Sequence, residues 1–164
     1  MNLSTAIEFA TAALAEKVDD KGSPYINHAL RVMERMDTEE EKMAAVLHDV
    51  VEDTEITLQD LCDAGFSREV VETVEILTKR LDMTYFDYID DIHWSETASK
   101  IKIAEIEDNL DIMRVKKMSF RTYSTEKRAE MALAILRGEN VKNNLVPPGI
   151  YCISIARGYL HGSV

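Results

Sequence analysis

The sequence predicts an all-α fold: a compact helical bundle with short connections and an irregular C-terminal tail. Apolar residues up to residue 138 recur every three or four positions, which is the period of an amphipathic helix. No stretch before residue 140 shows the strict alternation of a half-buried strand. Helix-start and turn signals recur at short intervals, so we expect the connections to be short.

Three helices are predicted in the first third of the chain, over residues 3–17, 24–36 and 39–51. Ser4 or Thr5 can cap the first helix. Pro24 suits the first position of the second. Thr38 followed by Glu41 is the pattern of a capping box and predicts the start of the third helix.

Five more helices are predicted downstream, over residues 58–62, 67–80, 84–94 and 99–115, and from about 124 to a stop at Gly138. Residues 67–80 are rich in β-branched side chains, so a strand is the alternative there, but the apolar residues recur every three or four positions, which favours a helix. We assign residues 1–138 to one domain and 139–164 to a tail, because the Asn143-Asn144 and Pro147-Pro148-Gly149 runs break structure. Residues 150–155 predict a short strand or a packed extended segment. The tail would dock a partner or cover one edge of the bundle.

Composition excludes several classes of function. The chain has 19 basic and 30 acidic residues, a net charge of −11. Duplex nucleic acid and anionic membranes need a basic surface, so neither is an expected partner. No apolar run approaches the roughly 20 residues that span a bilayer, and residues 1–8 do not resemble a secretory signal. Two cysteines, Cys62 and Cys152, make no disulfide framework, so a cytoplasmic location is expected.

The end of the third predicted helix concentrates ionisable residues: His48, Asp49, Glu52 and Asp53 lie within six positions. On a continuous helix these positions share one face. A buried carboxylate costs several kcal/mol unless it is paired or bound to a metal. This face therefore either lies in solvent or lines a metal site.

Five motifs, taken in order over about residues 5–137, resemble those of HD-domain metal-dependent phosphohydrolases. Within that superfamily the resemblance is strongest to small proteins related to the hydrolase domain of stringent-response (p)ppGpp synthetase/hydrolases. The motifs are Gly22-Ser-Pro-Tyr-Ile-Asn-His28, Ala44-Ala-Val-Leu-His-Asp-Val-Val-Glu-Asp-Thr54, Leu77-Thr-Lys79, Thr84-Tyr-Phe-Asp-Tyr-Ile89 and Ile101-Lys-Ile-Ala-Glu-Ile-Glu-Asp-Asn-Leu110.

The resemblance implies one divalent cation, usually Mn²⁺, held by His28, His48 and Asp49. The fourth ligand of the family is an Asp, and this chain has Glu105 at that position. Asp108 lies three residues further on nearly the same helical face and is the alternative fourth ligand. Imidazole and carboxylate together suit Mn²⁺, Fe²⁺ or Zn²⁺ and do not choose among them.

The resemblance also implies roles for residues around the metal. Glu52 and Asp53 match the acidic pair that orients or deprotonates the attacking water, and Asn109 matches an Asn near the sugar of a bound nucleotide. The expected activity is hydrolysis of the 3′-pyrophosphate of (p)ppGpp, a nucleotide substrate.

Three departures keep alternatives open. The first is Glu105 in place of the usual Asp ligand. Where the family has basic residues that stack on the purine, the corresponding stretch 14–21 carries Glu16, Asp19 and Asp20, and Ala29 replaces the Pro that usually follows the first His. The alternatives are hydrolysis of another nucleotide, such as a dNTP or dNMP, or a degenerate domain that binds a nucleotide or protein without turnover. A third alternative is a purely structural or interaction protein that uses the 139–164 tail. The sequence does not predict an oligomeric state.

Overall fold

Nine helices and short loops make up the residues that the structure, a computed structural model, describes: 1–19, 22–114 and 120–139. They are α1 (Leu3–Ala13), α2 (Ile26–Glu34), α3 (Glu39–Leu47), α4 (Val50–Asp53), α5 (Leu58–Asp63), α6 (Arg68–Leu77), α7 (Tyr85–His93), α8 (Glu96–Arg114) and α9 (Phe120–Leu136). Within these ranges no strand forms, and one isolated antiparallel bridge joins Val18 to Pro24. The all-α prediction is confirmed. The predictions for the tail and for Cys152 lie outside the described residues.

Local capping signals fix several helix starts. The capping box of Thr38 and Glu41 is present as predicted, and Thr84 forms a second one with Asp87. The predicted cap of α1 is wrong: Asn2 is the N-cap, and its side chain accepts a hydrogen bond from the Thr5 amide at 3.0 Å. Asn ranks with the best capping residues, so the first helix begins at Leu3, directly after it.

Some predicted boundaries are also wrong. Helix α1 ends at Ala13 instead of residue 17, because the chain then turns back and the Asp19 amide donates to the Ser23 carbonyl at 2.8 Å. Helix α2 begins at Ile26, two residues after Pro24. The long helix α8 begins three residues earlier than predicted, and its expected end at Val115 lies beyond the described part of the chain.

The third predicted helix does not run unbroken to residue 51. Helix α3 ends at Leu47, and α4 starts at Val50 after a turn at His48 and Asp49. The ring of His48 donates from Nδ1 to the Ala45 carbonyl at 2.7 Å. A continuing helix would use that carbonyl for the Asp49 amide. A side chain that competes for a helical carbonyl is a recognised cause of such a break.

The core is built around α3 and α8. All five residues from Met43 to Leu47 are buried, and α3 packs against α1, α2 and α6. Helix α8 packs against α2, α6, α7 and α9. The end of α3, the first turn of α2 and the middle of α8 therefore meet inside the bundle. Among the described helices, none combines the length and hydropathy that crossing a membrane requires.

Candidate metal centre

Three side chains from two separate parts of the chain converge at this meeting point. His28 comes from the first turn of α2, and His48 and Asp49 come from the turn between α3 and α4. One ligand atom of each lies within 4.8 Å of the others, and within the described part of the chain no other set of three His, Cys, Asp or Glu residues does this. The geometry therefore brings together the three residues that the sequence predicted as ligands.

Both histidines present the same ring nitrogen to this space. The Nδ1 atom of His48 donates to the Ala45 carbonyl, and Nδ1 of His28 lies 2.7 Å from Oδ2 of Asp108. A carbonyl and a carboxylate are acceptors, so each Nδ1 carries its proton and each Nε2 keeps a lone pair in the neutral ring. The Nε2 atoms lie 3.2 Å (His48) and 3.9 Å (His28) from Oδ2 of Asp49.

The donor atoms fit a divalent cation. Nε2 of His48 and Oδ2 of Asp49 are buried, and neither makes a hydrogen bond to any described residue. Buried polar atoms are nearly always satisfied. When the His48 ring is neutral, as a metal ligand must be, these two adjacent atoms are both acceptors and lack a partner. Two imidazole nitrogens and a carboxylate oxygen are a donor set for a first-row divalent metal. A cation between them would satisfy both atoms.

The charges around the centre are strongly coupled. Burial by itself opposes the charging of His48, but the Asp49 carboxylate, helped by Glu105, outweighs it and raises the pKa of His48 to about 9. Burial likewise opposes the ionisation of Asp49, and His48 and His28 hold the pKa of that carboxyl well below its usual range. Because a ligating His must be neutral, binding of a cation near neutral pH would release a proton from His48.

Glu105 faces the same space from α8. Its Oε2 atom lies 3.8 Å from Nε2 of His48. Both of its oxygens accept hydrogen bonds from the buried Lys102, at 2.9 and 2.7 Å. The Lys102 ammonium also lies 5.1 Å from the centre of the Tyr88 ring. Glu105 thus lies beside the three converging side chains, with a lysine in contact with both of its carboxylate oxygens, and its role as a fourth ligand remains a prediction.

Asp108 faces away from this space. Its carboxylate is occupied by the outer nitrogen of His28 and by the guanidinium of Arg31. The position therefore favours Glu105 over Asp108 as the fourth ligand. Sequence reasoning did not find the contact between Arg31 and Asp108, because the two residues are 77 positions apart.

The acidic pair lies on α4, beside the three converging side chains. Asp53 pairs with Lys17 at 3.1 Å. Partial loss of hydration raises the pKa of the Glu52 carboxyl, and Asp49 and Glu105 add to the rise, while Lys102 and the Lys79 amide oppose it. Asn109 is exposed one turn past Glu105, and its role toward a nucleotide remains a prediction.

Tyr25 is a contributor that the sequence did not single out, although it lies in the first motif. Its ring lies 5.9 Å from that of His28, and its hydroxyl is close enough to the Asp49 and Asp53 carboxylates for their charges to act on it. Burial, followed by the charges of Asp49 and Asp53, raises the pKa of Tyr25. The phenol therefore stays protonated and can act as a donor between the ligand Asp and the acidic pair.

A helical core with two histidines, an adjoining Asp and a further carboxylate at its centre defines the metal-binding class of HD domains. The chain belongs to this family: residues 6–118 match the HD domain. It is similar to guanosine-3′,5′-bis(diphosphate) 3′-pyrophosphohydrolase MESH1 from Drosophila melanogaster, with 29% identity over 142 residues, 77% of this chain and 79% of the fly protein. It is 30% identical to MESH1 from Homo sapiens over 133 residues, 73% of each protein.

Solved structures give the same relationship. One, described as a metazoan ortholog of SpoT that hydrolyzes ppGpp and plays a role in starvation responses, aligns with a TM-score of 0.71 and 25% identity over 87% of this chain and 88% of its own. The crystal structure of lmo0812 from Listeria monocytogenes EGD-e aligns with a TM-score of 0.58 and 25% identity, over 77% and 90% of the two chains. The resemblance to HD phosphohydrolases is thus confirmed.

Proposed function

We propose that this protein is a metal-dependent hydrolase that removes the 3′-pyrophosphate of (p)ppGpp, acts in the cytoplasm and uses Mn²⁺ held by His28, His48, Asp49 and Glu105. The observation that carries the proposal is the pair of unsatisfied buried acceptors on His48 and Asp49. The relatives named 3′-pyrophosphohydrolases support the substrate. The mixed nitrogen and oxygen donor set supports a first-row divalent metal.

The chain's own residues divide the work of hydrolysis. A divalent cation held by His28, His48, Asp49 and Glu105 would supply a lowered pKa for bound water and would draw charge from a phosphoryl oxygen. Glu52 and Asp53 lie on the turn of helix that follows His48 and Asp49, and they would hold the attacking water in line and accept its proton. The raised pKa of Glu52 moves this carboxylate toward the range in which a general base works well.

Two lysines stand beside the acidic pair and would receive the substrate's phosphates. Lys17 pairs with Asp53, and its side chain is 38% exposed. Lys79 is half-buried, and its backbone amide acts to lower the pKa of Glu52. A phosphate group offers a lysine a stronger partner than a partly exposed carboxylate, because it carries more charge and more acceptor oxygens. With a net charge of −11 on the chain, such local cations are needed to bind a polyphosphorylated ligand.

The test is a substrate panel with Mn²⁺: ppGpp, pppGpp, dNTPs, dNMPs and cyclic dinucleotides, with products separated by ion exchange. Hydrolysis of ppGpp should release GDP and pyrophosphate. Asp49→Ala should abolish both turnover and metal retention, whereas Asp63→Ala, on the exposed surface of α5, should change neither. Turnover of another nucleotide alone would replace the substrate but keep the mechanism. Stoichiometric metal with no turnover of any nucleotide would overturn the proposal in favour of a binding protein.

A further inference from the structure

Asp108 is a buried carboxylate whose surroundings are complete without a metal. The residue is 3% exposed. Oδ2 accepts hydrogen bonds from Nδ1 of His28 at 2.7 Å and from a terminal nitrogen of Arg31 at 2.9 Å, and Oδ1 accepts one from Nε of Arg31 at 2.8 Å. Arg31 lies three residues after His28 on α2, so the same helix supplies both partners.

Charge explains why both partners are needed. When Nε2 of His28 binds a cation the ring is neutral, and a buried Asp108 facing only a neutral imidazole would be an uncompensated anion. The two-pronged contact from Arg31 supplies the missing positive charge and also fixes the plane of the carboxylate. A carboxylate that is fixed in this way can hold the His28 ring at one angle.

We propose that Arg31 and Asp108 form a positioning pair that aims Nε2 of His28 at the metal. The pair does not touch the substrate or the metal. This inference rests on the metal centre proposed above. It gives Asp108, first considered as a rival fourth ligand, a different role, and it assigns a role to an arginine that none of the motifs singled out.

A neighbouring ion pair provides a matched control. Arg35 lies four residues after Arg31, at the C-cap of α2, and contacts Glu107 of α8 at 3.1 Å, so it also connects α2 to α8. Arg35 also donates to the Ala104 carbonyl, but it has no contact with His28. If Arg31 only tied α2 to α8, loss of either arginine would have similar effects.

The experiment measures the Mn²⁺ affinity of the full chain by the EPR signal of free Mn²⁺, together with the melting temperature of the metal-free protein. Arg31→Met and Asp108→Asn should each weaken Mn²⁺ binding about tenfold or more, the usual effect of losing a group that orients a metal-binding His. Arg35→Met should leave the Mn²⁺ affinity within about twofold of the parent, whatever its melting temperature.

A second readout follows the His28 ring itself. In the metal-free parent, the proton on Nδ1 shared with Asp108 should give a protected low-field NMR resonance, which Asp108→Asn should shift or remove. Unchanged Mn²⁺ affinity in Arg31→Met and Asp108→Asn, while the parent binds Mn²⁺, would overturn the inference. An equal loss in Arg35→Met would overturn it too. Failure of the parent to bind Mn²⁺ at all would instead overturn the proposed metal centre.

Discussion

Lys102 donates hydrogen bonds to both carboxylate oxygens of Glu105, inside the space that the two histidine rings and Asp49 share. Burial by itself opposes the charging of Lys102, but Glu105 outweighs it, and the pKa of the lysine is raised. The ammonium therefore remains charged and supplies a positive charge next to the candidate ligands. The extra methylene of Glu105, compared with an Asp, gives the carboxylate the length to face both Lys102 and His48.

This contact predicts that a cation and Lys102 share Glu105. Lys102→Met should lower the free energy of unfolding of the metal-free protein by about 3 kcal/mol, because loss of one partner leaves a partly buried charge unpaired. Saturating Mn²⁺ should recover much of the loss, since the cation then pairs with Glu105. Denaturant titrations with and without Mn²⁺ measure both values. Lys100→Met, which breaks the more exposed pairs of Lys100 with Asp37 and Glu41, should cost less. A loss of stability in Lys102→Met that Mn²⁺ does not reduce would contradict the prediction.

Glu105 and Glu107 lie two residues apart on α8 and should behave differently. Glu105→Ala should weaken Mn²⁺ binding by at least about tenfold. Glu107→Ala should not, because that side chain pairs with Arg35 and Arg137 outside the centre. Isothermal titration calorimetry compares the two. Glu105→Ala alone also leaves the Lys102 ammonium without its partner, and the double variant Lys102→Met/Glu105→Ala removes that charge. Full Mn²⁺ affinity in the double variant would show that Glu105 is not a ligand.

Glu52 and Asp53 should act on the rate and not on the metal. Glu52→Gln and Asp53→Asn should each lower kcat by about 10²–10⁴-fold, the usual loss for a positioned acid or base. Mn²⁺ affinity should stay within a fewfold of the parent value, because the proposed ligands are His28, His48, Asp49 and Glu105, and Asp53 is paired with Lys17. Steady-state kinetics and metal titration on the same preparations check the two effects. Glu55→Gln, at an exposed position two residues after Asp53, is the control. Loss of Mn²⁺ binding in Glu52→Gln or Asp53→Asn would contradict the prediction and indicate that the residue is a metal ligand.

The metal-free protein should lose stability as pH rises above neutrality. The Asp49 and Glu105 carboxylates raise the pKa of His48 from the ordinary 6.5 to about 9 against the effect of burial. A group whose pKa is higher in the folded than in the unfolded protein contributes its full stabilisation at a pH below the unfolded-state pKa. This contribution is lost as the pH rises through the folded-state pKa. The free energy of unfolding should therefore fall between about pH 6.5 and 9, and Mn²⁺ affinity should rise over the same range. A His48→Gln variant should lack this slope, and a flat profile in the parent would refute the assignment.

Much of the fold was predictable because its signals are local. The capping box at Thr38 needs only the Glu three residues later, and apolar residues recur at helical spacing up to residue 138. These features depend on spacing along the chain and survive without knowledge of the packing. The grouping of His28 with His48 and Asp49 came instead from the resemblance to HD domains, and the structure brings these three side chains together.

The remaining features depend on contacts between distant parts of the chain. The break after Leu47 arises because the His48 ring takes a backbone carbonyl, and periodicity alone predicted an unbroken helix. Asp108 shares a helical face with Glu105 in the sequence pattern, but Arg31 and His28 determine which way its carboxylate faces. A helical pattern predicts which residues are neighbours on the same helix. It does not predict which residue of another helix each of them contacts.

The break between α3 and α4 also separates two pairs of residues whose replacement is limited by different constraints. His48 and Asp49 lie at the end of a helix whose last five residues are buried, so a substitution that shifts them must also disturb the core. Glu52 and Asp53 lie on a single, partly exposed helical turn, so their proposed role in the reaction constrains them more than the packing of the core does. Descendants of such a protein could adopt new nucleotides by altering the surroundings of α4 while inheriting both the cation centre and the acidic pair.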